Sequence, residues 1–135
     1  MNLTYERKGD VLYGFFPEIV TSNILKNLHG ELDGIEKLDA TIHNRVVDLS
    51  AVKSFEADFD AIYNLAQARN KKVFPNRFKT ALLVSNKYQL GFARMYQTFI
   101  NNPSMQVEIF SDESKALDWL NTSENTAGPG GTSEH

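Results

Sequence analysis

The sequence predicts an α/β domain with a mostly parallel, mixed five-stranded sheet and about four helices. Three observations lead there. Short apolar or β-branched runs alternate along the chain with segments whose apolar residues recur every three or four positions, the mark of strands alternating with helices. Two strand-like runs at the start are separated only by Gly9-Asp10, so a hairpin adds one antiparallel strand. The 135 residues have the size of one domain and can bury a core without a disulfide, and there is no cysteine to make one.

Residues 3–7 (LTYER) alternate apolar and polar, as a half-buried strand does, and residues 11–16 (VLYGFF) form its partner. Pro17 ends the second strand because proline cannot donate to a ladder. Thr21 or Ser22 can cap the first helix, whose face is Ile24, Leu25, Leu28, Leu32 and Ile35. Gly30 and Gly34 weaken it by up to about 1 kcal/mol each relative to alanine, unless they allow close packing on the sheet.

Residues 45–49 (RVVDL) read as a buried strand and residues 50–57 as a loop or short turn. A second helix covers 58–70, with Phe59, Ile62, Tyr63 and Ala66 on one stripe. Its basic end, Arg69 to Lys72, suits the negative end of the helix dipole. Residues 78–84 are a strand. Residues 88–101 are the clearest helix, with Tyr88, Phe92, Met95, Tyr96 and Phe99 facing the core and Asn101-Asn102-Pro103 as the stop. Residues 105–110 are the last strand. Ser111 is expected to cap the last helix, 112–120, whose inner face is Ala116, Leu117 and Leu120. The domain so predicted spans 1–121. Residues 122–135 lack large apolar side chains and are expected to form a disordered tail.

The composition excludes several classes. Without cysteine there is no thiolate metal site and no cysteine nucleophile. The polar opening, MNLTYERKGD, has no apolar core of a secretory signal, and no run is long enough to span a membrane, so the chain reads as cytoplasmic. The net charge of −3 is unevenly spread. Residues 61–107 carry seven bases and no acid, whereas 1–60 carry eleven acids against six bases and 108–135 carry six acids against one base. A basic segment with aromatics invites a nucleic-acid reading. Most of those aromatics lie on core stripes, Phe74 being the best candidate for an exposed one. The bases fall on several elements and the pI is 5.6, so nucleic acid is disfavoured as a partner.

The search for chemistry gives no catalytic set. His29 and His43 share no spacing with a carboxylate motif, and a metal site needs three or four convergent ligands. There is no Gly-x-Ser-x-Gly elbow, no P-loop and no Gly-x-Gly-x-x-Gly after a strand, so neither a metal nor a cofactor is expected. Asp48 ends a buried strand, where a carboxylate can be catalytic in a parallel-sheet enzyme but more often holds the backbone of the next loop. Glu56, Asp58 and Asp60 are ordinary complements to a helix N-terminus. Arg94 is placed to clamp an anionic group or to pair with an acid on a neighbouring helix.

Two segments resemble a known family. Val46-Val47-Asp48-Leu49-Ser50-Ala51-Val52 resembles the strand-to-helix junction of STAS domains, the fold of anti-sigma-factor antagonists. There the junction runs into an Asp-Ser pair whose serine accepts phosphate. Here Glu56-Ala57 stand at the corresponding place, so the usual phosphoacceptor hydroxyl is missing. Gly91-Phe92-Ala93-Arg94-Met95-Tyr96 resembles a motif of the SpoIIAA-like branch of uncharacterised bacterial proteins. In that branch a strand and short helix follow, of the type Val107 to Phe110 and Ala116 to Leu120. The resemblance covers residues 1 to about 121 and implies a STAS or SEC14-like architecture.

The functional expectation is therefore a non-catalytic binding or regulatory module, acting through a protein partner or a small apolar or amphipathic ligand held between helix and sheet. Its binding surface is expected at the strand ends, with Asp48, Ser50, Ser54, Asn86 and Lys87, and with Arg94 for an anionic portion. Phosphate at Ser50 or Ser54 would sit near a helix N-terminus. An exposed edge strand leaves room for a homodimer. The alternative is an enzyme acting on a small anionic substrate, with Asp48 or the acids at 56–60 as acid–base groups and Arg94 as clamp.

Overall fold

The computed structural model describes residues 2–122. The tail expected over 122–135 lies, beyond Thr122, outside the described residues. The chain opens with a hairpin, β1 (Thr4–Lys8) and β2 (Val11–Phe15), turning at Gly9, whose φ of 62° is easy only for glycine. Three parallel strands follow at intervals, β4 (Arg45–Asp48), β6 (Phe78–Leu83) and β7 (Met105–Phe110). They extend the hairpin into a five-stranded sheet of order β1-β2-β4-β6-β7, in which only the β1–β2 pairing is antiparallel.

The helices are α1 (Ser22–Glu36), α2 (Phe59–Lys71), α3 (Lys87–Phe99) and α4 (Glu113–Leu120). The pleat sorts the strand residues between them. Gly14, Val47 and Leu82 stand in one row of the inner face, beneath α1, α2 and α3, and Phe16, Leu49 and Val84 continue that face. Tyr13, Val46 and Ala81 face the other way and pack with Ala116 and Leu120 of α4. Three helices thus cover one face and one helix the other. No helix among the described residues is long and apolar enough to cross a membrane.

The mixed five-stranded sheet and the four helices agree with expectation, but several local readings are corrected. Residues 54–56 are not loop. They form β5 (Ser54–Glu56), which pairs in parallel with β3 (Ile19–Thr21) in a separate two-stranded sheet. Two such short runs lack the length that marks a strand in sequence. The cap of α4 is Asp112, whose carboxylate accepts from Ser114 N at 2.9 Å, and not Ser111. Thr21 rather than Ser22 caps α1, accepting from Ile24 N, which leaves the Ser22 hydroxyl for Asp58 N at 2.9 Å.

The basic segment does not form one surface. Arg69 is wholly buried and Lys79 is 2% exposed. Lys79 Nζ donates to the carbonyls of Trp119 and Thr122, both at 2.9 Å, which places a cation on the negative end of α4. Phe74, expected at the surface, is buried edge-on against Phe78 at 4.8 Å. Tyr88, expected in the core, is 72% exposed. Phe59 and Tyr63 are also largely exposed and meet Phe99 in an aromatic cluster across α2 and α3.

Candidate functional site

At the carboxyl end of the parallel strands the structure gathers much of the expected surface. Asp48 closes β4, and its carboxylate accepts from Ser50 N at 2.8 Å, the loop-holding role expected of it. Asn86 caps α3, accepting from Tyr88 N and Gln89 N at 3.0 and 2.9 Å. Gln89, buried to 1%, ties the two loops together. Its amide donates to the carbonyls of Ser50 and Val52, and its oxygen accepts from Ser85 N at 2.6 Å. Ser50, Asn86 and Lys87 stand exposed on this rim.

The other two expected residues sit apart. Ser54 lies in β5, paired with Ile19, and its hydroxyl meets the Glu56 carboxylate at 3.4 Å. Arg94 is exposed on α3, seven residues past Lys87 and so about 10 Å further along the axis. The acids do not converge. Asp58 is committed to capping α2 through Ala61 N at 2.9 Å, and no group of acids or histidines among the described residues is arranged to hold a metal ion.

A second site lies inside the molecule. A cavity of about 60 Å³ separates the inner face of the sheet from α1, α2 and α3. Its walls are apolar, with Leu3, Gly14 and Phe16 below and Leu28, Leu65 and Phe92 above. Phe92 and Tyr96, both in the segment 91–96 singled out by resemblance, line it.

The other end of the cavity is polar. Arg45 opens β4 and pairs across the ladder with Thr80, so both project from the same face into the row nearest the amino ends of the strands. Arg69, in the last turn of α2, joins them. Glu36, the last residue of α1, holds the cations in place. Its Oε2 accepts from Arg45 Nη1 at 2.9 Å and from Arg69 Nη2 at 2.5 Å, while Oε1 accepts from Lys72 Nζ at 2.6 Å. Lys72 also reaches Asp33 at 2.6 Å.

The acid–base properties follow from this arrangement. Burial alone would raise Glu36, but the Arg69 hydrogen bond and the charges of Arg69 and Arg45 hold it below its ordinary value. Burial lowers Arg45, with Glu36 opposing the shift. Burial raises the Tyr96 phenol, and burial with the Glu31 hydrogen bond raises Tyr5. His29 is lowered by burial and by the charge of Arg69, whose Nη1 lies 3.3 Å from its Nδ1.

Sequence reading missed this site. From sequence, Arg69 reads as a complement to the helix dipole and Arg45 only as the first residue of a buried strand. The available signal was a charged residue opening an otherwise apolar β-branched run.

A hairpin-opened, mostly parallel sheet with helices divided three to one between its faces is a SpoIIAA-like fold, here with a cavity between sheet and helices. The chain is similar to the crystal structure of an uncharacterised protein of the DUF3478 family with a SpoIIAA-like fold, from Shewanella loihica PV-4. The TM-score is 0.56 at 18% identity, over 87% of this chain and 91% of that one. No family model and no curated protein matches the chain.

Proposed function

We propose that the chain is a cytoplasmic, non-catalytic binding module of STAS-like type that holds a small amphipathic ligand between helix and sheet. The observation that carries this reading is the cavity, apolar along its walls and polar at one end, the usual composition of a small-molecule site. An empty space of 60 Å³ costs the fold about 1.4 kcal/mol at the usual price of cavity volume, which an occupant would recover. The strand-end rim, with Asp48, Ser50, Asn86 and Lys87, is the face offered to a protein partner, and a partner that also reaches Ser54 on β5 and Arg94 along α3 would extend beyond it. Ala57 has no hydroxyl, so the module would work without the usual phosphoacceptor serine.

Native mass spectrometry of the protein purified from its own cells tests the ligand. The expected result is a retained small molecule, lost on denaturation. A bare species that also fails to take up xenon, an apolar atom able to enter such a cavity, would overturn the reading. Arg94→Ala tests the rim: partner capture by the full chain is expected to weaken, and capture equal to the parent's would remove Arg94 from that face.

A further inference from the structure

Arg45, Arg69 and Thr80 are each at least nine-tenths buried, and all three line the cavity. Arg45 Nε, Arg69 Nε and Thr80 Oγ1 are buried without a hydrogen-bond partner among the described residues. A buried polar group left unpaired costs about 1–3 kcal/mol, so three such groups on residues that line one cavity mark a place where a partner is wanted.

Their chemistry states what it is. The two guanidinium N–H groups only donate and the hydroxyl can donate, so the missing group is an acceptor. The charge points the same way. Among the described residues, the only carboxylates that Arg45, Arg69 and Lys72 meet are those of Glu36 and Asp33, and Asp33 is shared with Lys37, so positive charge is in excess at this end. The carbonyls at the end of α2 are not what the arginines serve, because Asn102 Nδ2 already reaches those of Arg69 and Lys72 at 3.0 and 2.8 Å. Hydrogen bonds between guanidinium and carboxylate are about twice as strong as neutral ones. Apart from the phenols of Tyr5 and Tyr96 the rest of the wall is apolar, and the space holds about four or five water-sized atoms.

We propose that the ligand is a small monocarboxylate, its carboxylate accepting from Arg45 Nε, Arg69 Nε and Thr80 Oγ1 and its short alkyl portion lying against the apolar wall. This rests on the reading of the cavity as a ligand site and adds the identity of the head group.

The test titrates the full ¹⁵N-labelled chain with propionate, with 1-propanol as the neutral counterpart and with xenon as a probe of the cavity alone. Expected are saturable shifts at the Nε resonances of Arg45 and Arg69 and at the Thr80 amide, with 1-propanol binding about tenfold or more weakly. Thr80→Val, nearly isosteric and without the hydroxyl, is expected to weaken propionate at least about threefold and leave xenon unchanged. Arg69→Lys, which keeps the charge but lacks Nε, should weaken it further, and Thr80→Val stands as the test if that variant does not fold. Equal binding of propionate and propanol, indifference to Thr80→Val, or shifts confined to surface lysines would overturn the carboxylate assignment while xenon uptake upheld the cavity reading. No response to any of the three probes would overturn both.

Discussion

Glu36 accepts from three cations, and two of them, Arg45 and Arg69, are themselves out of water. Removing its charge leaves two buried guanidiniums facing each other. Glu36→Gln should therefore cost about 3–5 kcal/mol, measured as the fall in unfolding free energy in urea. The same cluster sets the acid limb of stability. Hydrogen bonds from Lys72 and Lys37 hold Asp33 at about 2, against its ordinary 3.8, and Glu36 is also depressed. A carboxylate lowered by folding contributes fully above its unfolded pKa and loses that contribution as pH falls through the folded value. Asp33 and Glu36 should thus contribute fully above about pH 5, with stability falling from about pH 4 toward 2. His29 acts earlier. Its neutral form is favoured in the fold, so its contribution is present above its ordinary 6.5 and lost on acidification below it. His29→Gln should remove that first decline from a pH series of melting temperatures.

The elements are ended and joined by side chains whose removal has a predictable sign. Asn102 donates to carbonyls at the end of α2, and Asn70 Nδ2 in turn donates to Phe99 O at the end of α3, at 2.8 Å. Asn102→Ala takes the side-chain donor from the Lys72 carbonyl and leaves the Arg69 carbonyl only the Lys72 N–H at 3.3 Å, and should cost about 1–3 kcal/mol in chemical denaturation. The glycines of α1 work in the opposite direction. A Cβ at Gly30 or Gly34 meets nothing within 4 Å, so neither glycine serves close packing on the sheet, the role the sequence allowed for them. Gly30→Ala and Gly34→Ala should each stabilise by about 0.5–1 kcal/mol and raise the melting temperature by a few degrees.

At the scale of the whole molecule, the cavity and the sheet meet at Gly14. A Cβ there would rest at 3.5 Å from Leu3 and Tyr5 side chains, an ordinary contact, in a cavity that Gly14 lines. Gly14→Ala should therefore stabilise the fold by a few tenths to about 1 kcal/mol while weakening uptake of xenon, because it fills space the ligand would use. Stability rising while binding falls is the signature of a cavity kept open for an occupant. A variant that gains stability and binds as before would place the occupant elsewhere.

The order of strands and helices, the opening hairpin and the helical stripe of Leu25, Leu28 and Leu32 were legible in the sequence, because period and turn chemistry are local properties. So was the role of Asp48, whose partner is only two residues away. The short β3–β5 sheet was not legible, since each strand is defined only by the other, more than thirty residues distant. The candidate site was hidden for the same reason. Glu36, Arg45, Arg69 and Thr80 sit on four different elements and look alone like a helix end, a strand edge, a dipole complement and a sheet residue. Only parallel pairing of β4 with β6, under the last turns of α1 and α2, brings these side chains together out of water. Their burial there turns ordinary surface residue types into a polar end for an apolar cavity.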